Sequence, residues 1–545
     1  MNTAVATTGP AVRRRWSYKR QWLVAFCVII ALVVGIFYWL AYRDKLALDR
    51  LLSQLHTSDP QWTFEEMQQA LPPLKPDEDA GVELVELLKL TTMRETIPLA
   101  SKSEWYKLYR KNYDEGELYH YETFLDQYPN SKLPTTYRNK QQTILQSAEL
   151  PEVLKRARVL ANYRAGRLQH TIKPFLFASL LPDAQGTRMM ANLLMWDSQL
   201  QMEAGNVELA LADLHGILGV AHVLNDDSFV ICEFIRMAMV GIVCKQTERL
   251  LAQPLKVSSK QLLELQQALE KELLRSDTSQ TRMLRQERAT YDHDLQVLGA
   301  GKQNYREILQ MFGRRSGFSL RVAWLDDLAL KLFPEIALGW GNRPMNNSKE
   351  RLLALQFYTH GTEWSKQPDH LLRSSLNQWK TTGPYLTPYQ RAIFMMNWMH
   401  DQKEDPAEFN LISSVLKAWM QHRTRLRAAI AMLAMERYRL EKGTWPASLE
   451  ALVPGYLTAV PLDPETGKPL LLKAIPEGFI IYGVWNNGID DGGKIRYEDN
   501  SSPLDAGYQL WHLPHRGKVM EKEAQEYFQQ HKREQASPLT QIPPL

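Results

Sequence analysis

Between Arg20 and Arg43 the chain carries no charged side chain, and the 21 residues Trp22–Tyr42 read almost continuously apolar. About 20 such residues, at ~1.5 Å of rise each, match the ~30 Å hydrocarbon layer of a bilayer. Trp22, Tyr38, Trp39 and Tyr42 sit at the two ends, where amphipathic rings favour the headgroup level. A buried core helix is the plain alternative, but this length and these flanks suit it poorly. A cleaved signal peptide would have an apolar region of roughly 7–15 residues followed by small residues. Here Trp39-Leu40-Ala41-Tyr42-Arg43 makes a poor cleavage site, and Phe26 before Cys27 makes a poor lipoprotein box. The expectation is an uncleaved signal anchor. Arg13, Arg14, Arg15, Lys19 and Arg20 precede it, so residues 1–21 are expected in the cytoplasm and the body across the membrane, in a bacterial periplasm.

Those five cations account for the basic balance. The whole chain has 65 Lys+Arg against 61 Asp+Glu, a formal charge of +4; without the five, residues 43–545 hold 60 against 61. A body with no basic excess argues against nucleic acid as its partner. A chain of 545 residues that is 44% hydrophobic is long enough for extensive cores and too apolar for disorder. Cys232 and Cys244 lie 12 apart in one helical stretch, about 18 Å along a straight helix and beyond disulfide reach. They read as small buried hydrophobes.

The body reads as mainly α. Residues 43–150 are expected to form a linker and irregular helical region. Within it Thr63-Phe-Glu-Glu66 fits a capping box, 80–90 is helical with Val82, Val85 and Leu88 on one side, and 91–150 is an irregular insertion with some helix. Residues 151–412 are expected to be a large α-helical domain, with helices near 189–204, 207–224, 229–251, 258–300, 303–333, 349–358 and 389–400. Its segment Trp196…Gly205-Asn206…Ala210…Ile217 resembles the middle of a tetratricopeptide repeat. A small pair turns the chain there, and a small Ala lets two antiparallel helices pack closely. No 34-residue period recurs, so a single α-hairpin is expected. Residues 521–545 read as a polar helix and a disordered tail.

After a long helix over 413–441 the character changes. Glu436-Arg-Tyr438…Gly443-Thr-Trp445-Pro446 leads into a short helix near 447–453. Then come Val460-Pro461-Leu-Asp463-Pro464, Gly467-Lys-Pro469 and Gly478-Phe-Ile-Ile-Tyr482-Gly-Val484-Trp-Asn-Asn487-Gly488-Ile-Asp490-Asp491-Gly492-Gly493. This string resembles the globular part of the major pseudopilin of type II secretion systems. The likeness implies a small α+β module over 413–520, with 479–484 the central strand of a short antiparallel sheet on the long helix. No Gly cleavage site precedes Trp22 and the span holds no acid, so processing and polymerisation as a pilus subunit are not expected. The whole layout resembles large membrane-anchored helical proteins of bacteria that end in such a module. That implies an architecture and a location, and no reaction.

Related pseudopilin loops bind Ca²⁺, and Asn486, Asn487, Asp490 and Asp491 offer hard oxygens on a Gly-rich backbone. The alternative is a cluster of Asx turns whose side chains bond their own backbone. No Gly-x-Ser-x-Gly elbow, Walker A loop, Gly-x-Gly-x-x-Gly or His-Glu-x-x-His occurs. His215 and His222 on one helix, and Asp292-His293-Asp294, read as solvated surface. The leading expectation is therefore a non-enzymatic, single-pass inner-membrane protein that acts through protein–protein interaction or assembly with an envelope protein partner. A periplasmic hydrolase with a site in the helical domain is the competing class, and a Ca²⁺-dependent sensor the third.

Overall fold

The computed structural model describes residues 18–91, 93, 104–114, 117–163, 165–168, 172–173, 176, 181–226, 229–299, 347–382, 411–485, 487–496, 504–518 and 526–527. The expected helices at 303–333 and 389–400, and most of the tail after 521, lie outside these residues. What is described is mainly helical with one small antiparallel sheet.

Helix α1 (Tyr18–Ser58) joins the apolar run and the amphipathic stretch after it without a break. Its two halves differ in what they touch. In the first, Leu23, Phe26, Ile29, Leu32, Ile36 and Trp39 are each more than half exposed. From Asp44 on, one face turns inward: Leu48 and Leu55 are buried with Leu355 and Trp62, flanked by Leu51, Leu52 and Leu352. Among the described residues, which leave out the side chains of Val33, Val34 and Phe37, no helix is long and apolar enough to cross a membrane.

The expected capping box is formed. Thr63 Oγ1 accepts from Glu66 N (3.3 Å) and Glu66 Oε2 accepts from Thr63 N (3.2 Å), opening α2 (Phe64–Gln69). In α3 (Ala80–Leu90) the buried face is Gly81, Leu84, Leu87 and Leu88, whereas Val82 is 50% exposed. The face is turned from the expected one because Gly81 abuts the Arg167 backbone, where no side chain fits. Residues 91–150 are far more regular than expected: α4 (Glu104–Asp114), α5 (Glu117–Gln127) and α6 (Thr135–Leu145) bury Trp105, Phe124 and Tyr137. Aromatic rings among Lys, Asp and Gln supply this core, so a search for aliphatic periodicity passes over it.

Helices α7 (Leu150–Val159), α8 (Pro182–Ala204), α9 (Val207–His222), α10 (Val230–Ala252) and α11 (Ser259–Gly299) follow, with α12 (Asn347–Trp364), α13 (Asp369–Thr382) and α14 (Leu411–Lys442). The α8–α9 hairpin turns at Gly205, whose φ of +79° is the left-handed C-cap that favours glycine. Ala210 is fully buried, and Ser198 Oγ donates to its carbonyl (3.1 Å), a direct link between the two helices. Gly219 brings α9 against a one-turn 3₁₀ helix, Leu160–Asn162.

Beyond α14, the short helix expected near 447–453 is a single 3₁₀ turn, Glu450–Leu452. Strands β1 (Leu471–Ile475), β2 (Gly478–Val484) and β3 (Asp505–Trp511) form an antiparallel sheet in that order, with β2 central. Ile481, Tyr508 and Leu510 face α14, while Ile480 and Tyr482 pack on Ile495 behind the sheet, as two-residue alternation requires. Leu426–Met435 of α14 and this inner sheet face share one buried cluster with α8, α9 and α10.

Charged clusters that read as surface are in fact joints. Asp292 and Asp294 are buried: Asp292 accepts from Arg351 Nε (2.8 Å) and Nη2 (3.1 Å), and Asp294 Oδ1 accepts from Leu176 N (2.7 Å). Adjacent helical positions diverge, and here each meets a different neighbour. His215 and His222 are half-buried rather than solvated, and burial holds both below the usual imidazole range.

Candidate functional site

Four helices leave a cleft of about 480 Å³ between them. Helix periodicity builds its walls. From α8 come Arg188, Asn192, Met195 and Gln199, spaced as one face of a 3.6-residue helix. From α14 come Ala418, Gln421, His422 and Arg425, again at steps of three or four. Helix α10 lies across the floor with Phe234, Met237, Ala238, Gly241, Ile242, Lys245 and Glu248, and α5 closes one side with Glu122, Leu125 and Asp126. Gly241 sits over open space: a Cβ there would meet nothing within 4 Å.

Most of the charges around the cleft neutralise one another. Lys245 pairs with Asp126, and Glu248 pairs with Arg496 while also accepting from Gln509 N (2.8 Å). Arg249 reaches Glu203 (3.2 Å) and the Pro129 carbonyl (3.2 Å). Among the described residues, Arg188 and Arg425 have no ion pair and no hydrogen bond. Arg188 is exposed at the mouth and Arg425 half-buried.

Burial sets the remaining groups. It pushes the Glu122 carboxyl up to about 7, against the opposing pull of Trp196 Nε1, which donates to Glu122 Oε1 (3.2 Å). It pushes His422 down to about 3, so its imidazole is neutral, and Nε2 is buried with no hydrogen-bond partner among the described residues. It pushes the Cys244 thiol up to about 12, which removes the thiolate a nucleophile would need. The cleft thus offers two unpaired guanidinium groups, a neutral imidazole and a carboxyl poised near neutrality, on walls of Leu, Met, Phe and Ile.

The loop after β2 is organised differently. Asn486 lies outside the described residues. Asn487 Oδ1 accepts from Ile489 N (3.0 Å) and its Nδ2 donates to Asp491 Oδ2 (2.7 Å). Asp490 Oδ1 accepts from Gly492 N (2.8 Å) and Tyr482 Oη (3.0 Å). The bonds from Ile489 N to Asn487 and from Gly492 N to Asp490 are Asx turns, in which side-chain oxygens serve the loop's own backbone, while Asp491 is tied to the Asn487 side chain. Asp505, which the sequence pattern did not single out, anchors the loop from β3 by accepting from Gly493 N (2.8 Å) and Lys494 N (3.1 Å). Burial, aided by the Asp491 charge, holds the Asp505 carboxyl above its usual range. Among the described residues no group of three or more His, Cys, Asp or Glu is placed to hold a metal ion.

No known protein family, curated protein or solved structure matches the chain.

Proposed function

We propose that the chain is a single-pass bacterial inner-membrane protein whose helical body works in the periplasm by binding and assembling with an envelope protein partner. One observation carries this reading. Helix α1 is uninterrupted, with apolar side chains exposed along its first half and buried against α12 along its second. A helix built this way holds the body rigidly beside whatever its first half enters. The five cations before it and the near-neutral body supply the orientation. The pseudopilin-like reading of 413–520 is supported by a long helix followed by an antiparallel sheet with Gly478–Val484 in the middle.

The test is fractionation of the full chain. It is expected in the membrane pellet after alkaline carbonate washing, whereas a variant lacking residues 1–42 leaves it. Alkaline phosphatase fused after residue 58 is expected to be active, as only a translocated fusion is. A carbonate-soluble full chain, or an inactive fusion, would end the reading. In-cell crosslinking that returns no reproducible envelope protein would end its assembly part.

The hydrolase reading draws on Glu122, the lining carboxyl brought near neutrality. It is the less favoured, because Asp126 and Glu248 are held in ion pairs and the Cys244 thiol stays protonated.

A further inference from the structure

We propose that the cleft between α5, α8, α10 and α14 binds a small organic carboxylate with an apolar body, held through Arg425 and Arg188. This does not rest on the membrane reading. Elsewhere buried Arg236 meets Glu233 and Glu272, buried Arg249 meets Glu203 and buried Arg288 meets Asp59, while half-buried Arg158 meets Asp213. A guanidinium drawn from water without a counter-charge is costly. Half-buried Arg425 has no acid against it among the described residues, and exposed Arg188 has only Glu122, whose carboxyl burial pushes up to about 7, so the counter-charge is left to a ligand. A planar carboxylate suits the guanidinium fork, which binds it through two parallel hydrogen bonds.

His422 is a second and independent pointer. The residue is 8% exposed and its Nε2 has no hydrogen-bond partner among the described residues. A buried polar atom left so is normally satisfied by something, and on this wall a ligand oxygen or a bridging water is within its chemistry. The rest of the ligand follows from the floor. Met195, Phe234, Met237 and Ile242 are apolar, Gly241 leaves their centre open, and about 480 Å³ is the size of small-molecule sites. A doubly charged phosphate fits less well, because Glu122 stands beside Arg188 and its charge opposes a dianion.

The experiment is calorimetric titration of the full chain, in detergent micelles or plain buffer according to which keeps it monodisperse, with the same medium as blank. The probes are 4-phenylbutyrate, its uncharged counterpart 4-phenylbutan-1-ol, and inorganic phosphate. Saturable heat is expected for 4-phenylbutyrate alone. Arg425→Gln is expected to weaken it by about tenfold or more, the loss of a charge-assisted hydrogen-bond pair. Gly241→Leu places a side chain in open space at a helical position, so it is expected to abolish the heat while the melting midpoint holds or rises. Absence of 4-phenylbutyrate heat at roughly millimolar concentration overturns the proposal, and so does an alcohol that binds as tightly. Competition by phosphate removes the apolar part of the claim, and unchanged affinity in Arg425→Gln removes the charged part. Arg425 lies at a half-buried surface, so its variant stays informative if Gly241→Leu misfolds.

Discussion

The joint between α14 and the end of β3 rests on one carboxylate. Glu436 is 2% exposed and accepts four hydrogen bonds: from Arg516 Nη1 (2.9 Å) and Nη2 (2.8 Å), and from Arg439 Nη2 (2.7 Å) and Nε (3.1 Å). Arg516 is itself 8% exposed and also ties back to the Trp511 carbonyl (3.1 Å). In Glu436→Gln the shape is kept, but the charge goes and an amide N–H₂ is set against guanidinium N–H groups. Breaking a buried pair in this way costs about 3–5 kcal/mol, because a buried cation is left uncompensated. At 1.4 kcal/mol per decade, the local opening equilibrium of β3 rises by about a hundredfold to a few thousandfold. Hydrogen-exchange mass spectrometry on peptides across 505–518 reads this directly, with peptides of α9 as the internal control. The pH dependence gives a second readout. Burial alone would raise Glu436, but the hydrogen bonds and charges of Arg439 and Arg516 outweigh it and hold the carboxyl below its ordinary value of 4.5. The stability it contributes is therefore complete above pH 4.5 and is lost as pH falls through the lower folded value. After correction for intrinsic rates, wild-type β3 loses protection on acidification and Glu436→Gln lacks that component. A rise in exchange of less than about fivefold in the variant, under ~1 kcal/mol, would refute the argument.

Other consequences are as direct. Glu287 is 5% exposed and burial pushes it up to about 8, so the folded chain keeps a proton that the unfolded chain releases near 4.5. Stability should fall as pH rises between those values, and Glu287→Gln should flatten that part of a melting-midpoint-against-pH curve; an unaltered slope counts against it. A Cβ on Gly219 would lie 2.4 Å from Ala161 N and 2.5 Å from the Leu160 carbonyl carbon, both backbone atoms that cannot yield. Gly219→Ala should therefore cost about 1–3 kcal/mol despite the ~1 kcal/mol gain in helix propensity, and a raised melting midpoint would contradict the close approach. The Asx turns of Asn487 and Asp490, with Asp491 held by the Asn487 amide, predict that millimolar Ca²⁺ leaves the melting midpoint unchanged. A saturable rise that Asp490→Asn or Asp505→Asn abolishes would show that the loop exchanges its internal bonds for a cation.

Legibility in the sequence followed the kind of force involved. The capping box at Thr63, the turn at Gly205, the long helix over 413–441 and the strand-forming run at 479–484 depend on neighbours a few residues away, and the pattern of side chains states them; that the strand is central was implied only by the pseudopilin resemblance. The core of 91–150 did not show because Trp105, Phe124 and Tyr137 lie among polar residues in place of an aliphatic stripe. The turned face of α3 and the buried Asp292 and Asp294 depend on Arg167, Arg351 and Leu176, which no local window contains. The cleft was not legible at all. Glu122, Arg188, Gly241 and Arg425 each read as ordinary helix residues, and the steps of three and four on α8 and α14 are those of any helical face.

The sequence by itself determined the long helices from 189 to 299 and over 413–441, where the hairpin turns, and that a 21-residue uncharged run follows five cations, because each depends on side-chain type and spacing along the chain. The tertiary structure decided which of the cations are satisfied. Packing brought acids to Arg158, Arg236, Arg249 and Arg288, and among the described residues it brought no ion pair to Arg188 or Arg425 and no hydrogen-bond partner to Nε2 of His422. Whether a charge is neutralised or awaits a counter-charge depends on distances between elements remote in sequence, and those exist only once the helices have packed.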